Sequence, residues 1–343
     1  MDLENPGRAR FLALSRRGTE FLGTRLAILG GAMTWVSEHN LVAAISNAGG
    51  FGVVACGAMT PDLLEAEIAA TRAATDRPFG VNLIVMHPDL DALIDRCVAQ
   101  RVGHVVFAGG LPTREHVARV KAGGGKVIAF APSAAVGKRL IRTGADALIV
   151  EGAEAGGHIG PVATSVLAQE ILPAIRDVPV FVAGGIGHGE AIAAYLRMGA
   201  AGCQLGTRFV CAEESIAHAR FKEAFVRAQA RDAQPTVQFD PEFKVIPVRA
   251  LVNAGTERFQ DVQRDVVRRY RAGELAHGEA ALAIEHFWAG ALRRAVVEGD
   301  VENGSLMAGQ SVGMVKTVQP VSEILEELER QATTALERPD GAL

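Results

Sequence analysis

Ala147-Leu-Ile-Val150 runs without a break into Glu151-Gly-Ala-Glu-Ala-Gly-Gly-His158-Ile-Gly160. The first four residues are all apolar, which is the pattern of a strand covered on both faces. Such strands belong to parallel sheets, because the crossover helices pack against both sides. The next ten residues hold four glycines, the carboxylates Glu151 and Glu154, and one histidine, His158. A glycine-rich loop at the C-terminal end of a parallel strand is where an α/β protein is expected to bind a ligand.

The same unit recurs on either side. Strand-like runs are expected at Arg25–Leu29, Phe51–Ala55, Phe79–Val85, His104–Ala108, Lys126–Ala131, Ala147–Glu151, Val178–Ala183 and Cys203–Phe209. Helical patterns alternate with them at Ser37–Asn47, Pro61–Thr71, Pro88–Arg101, Arg114–Ala122, Ser133–Thr143, Ser165–Arg176, Gly189–Met198 and Glu213–Ala228. Thr60-Pro61 pairs an N-cap with proline at the first helical position, and Asn47-Ala-Gly-Gly50 ends the preceding helix. Eight strand–helix units fit an α/β fold closed as a (β/α)8 TIM barrel. An open doubly wound sheet is the alternative, but it usually has fewer units. Residues 1–23 read as a lead-in with a short helix around Phe11–Leu14.

The rhythm stops near residue 229. The expected division is a barrel over 1–229, a mainly helical cap over 230–315, and a C-terminal helix with a tail over 316–343. The cap's helices are expected at Glu257–Arg271 and Glu279–Val297, and the last helix at Pro320–Thr334. Placed after the eighth strand, the cap is expected to cover the barrel's active face.

Composition narrows the function classes. Hydrophobic residues make up 49% of the chain but aromatics only 5%, so the core must be aliphatic. A net charge of −4 leaves no basic footprint for nucleic acid. No apolar run is long enough to span a bilayer, and nothing resembles a signal peptide. A cytoplasmic protein with a small-molecule substrate and no membrane partner is expected, either as a monomer or as a homodimer. Cys56, Cys97, Cys203 and Cys211 lack CxxC spacing and read as reduced packing residues.

Two further loops carry chemistry. Ala183-Gly-Gly-Ile-Gly-His188-Gly189 follows the seventh run, and Gly206-Thr-Arg-Phe209 closes the eighth. Loops at these two places in a (β/α)8 barrel commonly bind phosphate through backbone amides and a helix N-terminus. After the first run, Gly30-Gly-Ala-Met33 offers bare backbone for a flat ring, and Asn82 offers an amide that both donates and accepts. A phosphate clamp facing small planar walls fits a phosphorylated aromatic cofactor such as FMN. His158 opens onto the same mouth, where a neutral imidazole can act as base or donor. Glu151 and Glu154 could orient it or bind the cofactor's polyol. His188 reads as a helix-start residue. No cluster has metal-ligand spacing, so no metal is expected.

Gly31-Ala-Met-Thr-Trp35, Asn47–Gly50, Arg77-Pro-Phe-Gly-Val-Asn82, Glu151–Gly160, Ala183–Gly189, Gly206–Phe209 and Gly304-Ser-Leu-Met-Ala-Gly-Gln310, in this order, resemble the nitronate monooxygenase family, once called 2-nitropropane dioxygenases. FMN-dependent enoyl-ACP reductase II belongs to the same superfamily. The resemblance implies an FMN-binding barrel with a helical cap. It implies catalysis by His158 and FMN held by Gly31, Ala32, Met33, Asn82, Glu151, Ala155, Gly156, Gly157, Gly184, Gly185, Gly206 and Thr207. The wording around His158 and the pair Pro132-Ser133 look like the reductase. The Cys-Ala-Gly-His form of one monooxygenase class is absent, Phe130 stands where that class has lysine, and Gly31-Ala32-Met33 replaces Gly-Gly-Met.

The leading expectation is oxidation of alkyl nitronates by O2 to carbonyl compounds and nitrite. The alternative is NAD(P)H-dependent reduction of enoyl thioesters or quinones. A non-redox phosphosugar binder or lyase is the third.

Overall fold

A computed structural model describes residues 5–237, 239–240 and 246–337. The first four residues, part of the expected cap segment and the polar tail lie outside the described residues. Eight parallel strands close a barrel: β1 (Ile28–Gly30), β2 (Phe51–Ala55), β3 (Gly80–Ile84), β4 (His104–Ala108), β5 (Lys126–Phe130), β6 (Ala147–Glu151), β8 (Val180–Ala183) and β9 (Gly202–Leu205). Closure comes from β9 pairing with β1, with Ile28 opposite Cys203 and Gly30 opposite Leu205. The short strand β7 (Gly157–His158) lies outside the barrel.

Both faces of each strand are apolar for a geometric reason. Leu29, Phe51, Val53, Val106, Ile128, Ile149 and Phe181 point inward and fill the barrel. Their neighbours Ile28, Val54, Val81, Val105, Val127, Leu148 and Val182 point outward under the helices. The outer layer includes α2 (His39–Asn47), α3 (Pro61–Ala74), α4 (Leu90–Ala99), α5 (Arg114–Ala122), α6 (Ala134–Thr143), α7 (Thr164–Ala174) and α8 (Gly189–Arg197).

Four local expectations change. The lead-in is a full helix, α1 (Pro6–Leu22), capped by Asn5. Its buried stripe is Gly7, Phe11, Ser15, Gly18 and Leu22. Glycine and serine hold helical spacing without apolar side chains, so hydrophobic periodicity missed it. A Cβ on Gly18 would overlap the Ala201 carbonyl, which is why the stripe needs a glycine there. The Phe21 carbonyl accepts from Lys126 Nζ at 2.6 Å and lies 3.0 Å from His104 Nε2, so this helix stoppers the N-terminal end of the barrel.

The eighth run is not one strand. It ends at Leu205, and Thr207–Val210 forms a single helical turn, α9. Phe209 is fully buried there rather than in the sheet. The helix expected from Ser37 begins at His39 as α2 and is capped by Glu38, whose carboxylate accepts from the Asn40 and Leu41 N–H groups. Ser37 instead donates to the Gly31 carbonyl and accepts from Met33 N, which braces the loop after β1.

The helix after β9, α10 (Ala219–Arg227), begins well after the expected Glu213. The chain then forms β10 (Ala233–Pro235), β11 (Val248–Leu251), α11 (Ala254–Arg271) and α12 (His277–Arg293). The two helices pack around Phe259, Ile284 and Trp288. The last helix, α13 (Val321–Glu337), returns to pack on α8, α1 and α2. Buried Arg208 and Glu329 anchor it, Arg208 to Gln319 and Glu327, and Glu329 to Arg25. Among the described residues no helix is long and apolar enough to cross a membrane.

Candidate functional site

All barrel strands run the same way, so their C-terminal loops converge on one mouth. These loops and the cap enclose a cavity of about 890 Å³. That lies in the upper range for small-molecule sites. The cavity brings together His158 and the twelve residues expected to hold the cofactor, but not Glu154. Gly31, Ala32 and Met33 come from the loop after β1, and Asn82 from β3. Glu151, Ala155, Gly156, Gly157 and His158 come from β6 and its loop. Gly184 and Gly185 follow β8, and Gly206 and Thr207 follow β9.

Gly184 and Gly185 are both left-handed, with φ of +99° and +69°. A Cβ on Gly184 would lie 2.7 Å from Thr164 Oγ1 and 3.0 Å from the backbone of Gly152. The loop after β8 therefore rests directly on the loop after β6, as only glycine allows. Gly206 differs, since its added Cβ would meet only Met33, at 3.5 Å, and would otherwise project into the cavity. Thr207 opens the helical turn beside it, and its hydroxyl accepts from the Gly309 N–H at 2.9 Å. Bare backbone beside a helix start is the arrangement that receives a phosphate in this fold.

On the other side, Asn82 Nδ2 donates to the Val106 carbonyl at 3.1 Å. Only the NH2 end of an amide can face a carbonyl, so this bond fixes the amide's orientation. Gln204 lies flat over Gly31, with its amide carbon 3.1 Å from where a Cβ would stand. Sequence reasoning missed Gln204 as a site residue. Its signal was a single amide in the otherwise apolar Gly202-Cys-Gln-Leu205.

His158 is not in a free loop. Gly157 and His158 form β7, which pairs antiparallel with β11: Val248 stands opposite His158 and Arg249 opposite Gly157. The three-stranded sheet β10–β11–β7 thus ties the histidine's backbone to the cap. The imidazole remains exposed at the cavity. The segment Gly304–Gln310 backs the same loop: an added Cβ on Gly156 would come 2.6 Å from Gly309 N, and Met307 bridges to Ala250. Met307, Trp288 and Ser311 are lining residues supplied by the cap. The sequence reading quoted the Gly304–Gln310 motif without placing it in the site.

Arg249 locks this junction. It is 7% exposed, and it donates from Nε to the Ala153 carbonyl at 2.9 Å and from Nη1 to the Ala233 carbonyl at 2.6 Å. Burial works against its charge, and Glu154 offsets that cost. Replacing Arg249 with methionine leaves two carbonyls without their donor. The expected loss is about 2–4 kcal/mol of stability, read from the midpoint of denaturant unfolding. A midpoint equal to wild type would show that the clamp is not needed.

The two carboxylates part company. Glu154 is engaged at a helix start: its carboxylate accepts from Thr164 N at 2.8 Å and Thr164 Oγ1 at 2.9 Å. It serves as the missing cap of α7, whose N-cap position is Ala163, and complements the helix dipole. Glu151 closes β6 at the cavity floor. Desolvation pushes its pKa from 4.5 up to about 7, while His158 pulls it down. Its carboxylate is reached from the cavity, and water there softens the cost of its charge. With a folded pKa above the unfolded one, the protonated form supports the fold. That support is full below pH 4.5 and is lost as pH rises to about 7. Glu151→Gln is therefore expected to remove a decline on the order of 1–3 kcal/mol between those pH values. Unfolding curves at pH 5 and pH 8 measure it, and equal pH slopes for wild type and variant would refute it.

His188 caps α8, its Nδ1 accepting from Glu190 N at 3.2 Å, and it does not line the cavity. All four cysteines are free and buried, and desolvation raises the thiols of Cys56 and Cys211 to about 12. Among the described residues, Glu38, His39 and Glu67 bring ligand-type atoms within 4.8 Å of one another. Those carboxylates already accept from backbone N–H groups at His39, Asn40 and Leu41. Glu67 lies a helix away from the other two, so no spacing in the sequence revealed the group.

Similarity to known proteins runs the length of this architecture. The chain is 31% identical to (3aS,4S,5R,7aS)-5-hydroxy-7a-methyl-1-oxo-octahydro-1H-indene-4-carboxyl-CoA dehydrogenase of Mycobacterium tuberculosis, over 93% of this chain and 96% of that one. It is 30% identical to a nitronate monooxygenase of Pseudomonas aeruginosa, over 81% and 93%. The solved structure of FabK from Thermotoga maritima superposes with a TM-score of 0.83 at 37% identity, covering 94% of this chain and 97% of that one. The model of the nitronate monooxygenase family matches residues 15–93 and 90–331, spanning both the barrel loops and the cap segment that backs His158. The chain is an oxidoreductase that belongs to the nitronate monooxygenase family.

Proposed function

We propose that the cavity holds FMN and that the protein transfers a hydride between FMN and an acyl thioester. The glycine loops after β8 and β9 suit the phosphate, and the bare backbone of Gly206 leaves space that any side chain would occupy. Asn82 and Gln204 suit the heteroatoms of the ring. FMN held there would supply two-electron chemistry, hydride transfer between a nicotinamide and carbon.

The observation that carries the thioester reading is the second half of the cavity. Away from the glycine loops its walls are apolar, including Ile84, Phe130, Val136, Trp288 and Leu292. A small nitronate has no use for such walls, whereas a large acyl group does. The dehydrogenase relative is named for a bulky CoA thioester. In the reductive direction the β-carbon of an enoyl thioester would gain the hydride and the α-carbon a proton from water at the cavity mouth. His158 donates a hydrogen bond to the thioester carbonyl, which draws charge from the double bond.

A second reading, monooxygenation of alkyl nitronates to carbonyl compounds and nitrite, is favoured by the monooxygenase relatives and by His158 as a base for neutral nitroalkanes. One experiment separates the two. Flavin-loaded protein is mixed with NADH or NADPH without oxygen, and separately with a nitronate in air. Bleaching by a nicotinamide, with reoxidation by an enoyl thioester and no oxygen uptake on nitronate, supports the first. Oxygen uptake and nitrite release with no bleaching would replace it with the second.

A further inference from the structure

The cavity does not end at its apolar walls. Three of its lining residues are large, apolar and exposed at the mouth: Met86 at 64%, Leu111 at 40% and Ile246 at 48%. They come from three separate segments: the turn after β3, the loop after β4, and the cap just before β11. Met86 and Leu111 stand on neighbouring loops, because β3 pairs with β4, and Ile246 lines the same cavity from the cap; exposed apolar side chains lining one site give a ligand surface to cover.

The rim is built rather than loose. Val85 N donates to the Ala108 carbonyl at 2.8 Å, tying the loop after β3 to the end of β4. Gly109 and Gly110 are left-handed, at φ of +66° and +143°. An added Cβ would strike Ile84 from Gly109, at 2.8 Å, and Val85 from Gly110, at 3.2 Å. This double-glycine turn presses the Leu111 loop onto the segment that carries Met86. The glycine loops after β8 and β9 hold a different part of the same cavity, so the space runs from a polar, glycine-lined part to an apolar lip.

We propose that Met86, Leu111 and Ile246 form a subsite for the apolar tail of the substrate, the part of the acyl group beyond the reacting carbons. This rests on the thioester reading of the cavity. The subsite selects long or bulky acyl groups over short ones. A flexible methionine on the lip adapts to tails of different shape. The pantetheine handle, built of polar amides, gains little from such a surface, so the rim discriminates by tail and not by handle.

The test uses flavin-loaded wild type and the triple variant M86S/L111S/I246S, with retained flavin absorbance as the check on folding. Dithionite-reduced flavin is reoxidised by trans-2-butenoyl-CoA or trans-2-dodecenoyl-CoA, and binding of butyryl-CoA and dodecanoyl-CoA is followed by the change in flavin absorbance. Each methylene withdrawn from water favours the longer chain by about fourfold. Wild type is expected to prefer the twelve-carbon chain by about 100-fold or more in both kcat/KM and affinity, and the variant by about tenfold or less. The variant's loss should fall on KM and leave the kcat ratio between the two chains little changed.

No chain-length preference in wild type, or the same preference in the variant, would overturn the subsite. Equal weakening of both chain lengths would overturn it as well, because the rim would then hold the handle. If neither enoyl thioester reoxidises the flavin while binding still follows chain length, the thioester chemistry fails and the apolar subsite stands.

Discussion

Gly206→Leu is expected to yield a folded protein without flavin. Gly206 sits at φ −116°, a conformation open to any residue, so leucine brings no backbone strain. Its Cβ meets only Met33, at 3.5 Å, and the rest of the side chain must enter the cavity where the proposed FMN would set its phosphate. Flavin affinity should fall by at least 100-fold, equivalent to about 3 kcal/mol. The melting temperature of the apoprotein should match that of flavin-stripped wild type.

Gly185→Leu offers the contrast. There the φ of +69° and the Glu154 side chain 2.9 Å from the new Cβ add strain of about 1–3 kcal/mol, so flavin and stability fall together. Full flavin occupancy in Gly206→Leu would remove the loop after β9 from the cofactor site.

The second large effect is expected at His158. Its backbone is held by pairing to β11 whatever the side chain, and the imidazole is exposed at the cavity. His158→Ala should keep the flavin and the fold yet lower turnover by a factor on the order of 10² or more. His158→Gln then separates two roles. Glutamine retains an N–H donor but is no base. If His158 polarises a thioester carbonyl, glutamine recovers part of the lost rate. If it removes the α-proton of a nitroalkane, glutamine is as slow as alanine. Turnover unchanged in His158→Ala would take the histidine out of the mechanism altogether.

Repeating local pattern made the barrel legible. Runs such as Ala147–Val150 are apolar on both faces because one face fills the barrel and the other lies under helices, and this shows in any window of a few residues. The glycine loops were legible for a similar reason, since Gly184 and Gly185 meet a local conformational demand that only glycine satisfies cheaply. With strand direction known, the topology placed His158 and the glycine loops at one mouth.

What the sequence could not display depends on partners far along the chain. Helix α1 hides its contact stripe because Gly7, Ser15 and Gly18 are chosen by close approach to other elements rather than by hydrophobicity. Glu154 stands close before His158 in the sequence and looks like its partner, yet it caps α7, because Ala163 leaves that helix without a side-chain cap. The strand identity of Gly157–His158 exists only through β11, and Arg249 acquires its role only when the Ala153 and Ala233 carbonyls are brought to it. Propensity and periodicity act between neighbours in sequence, and they determined the barrel, its mouth and its glycine cradle. Pairing, capping and burial act between neighbours in space, and they alone set which carboxylate faces the cavity, what holds His158, and where the apolar lip lies.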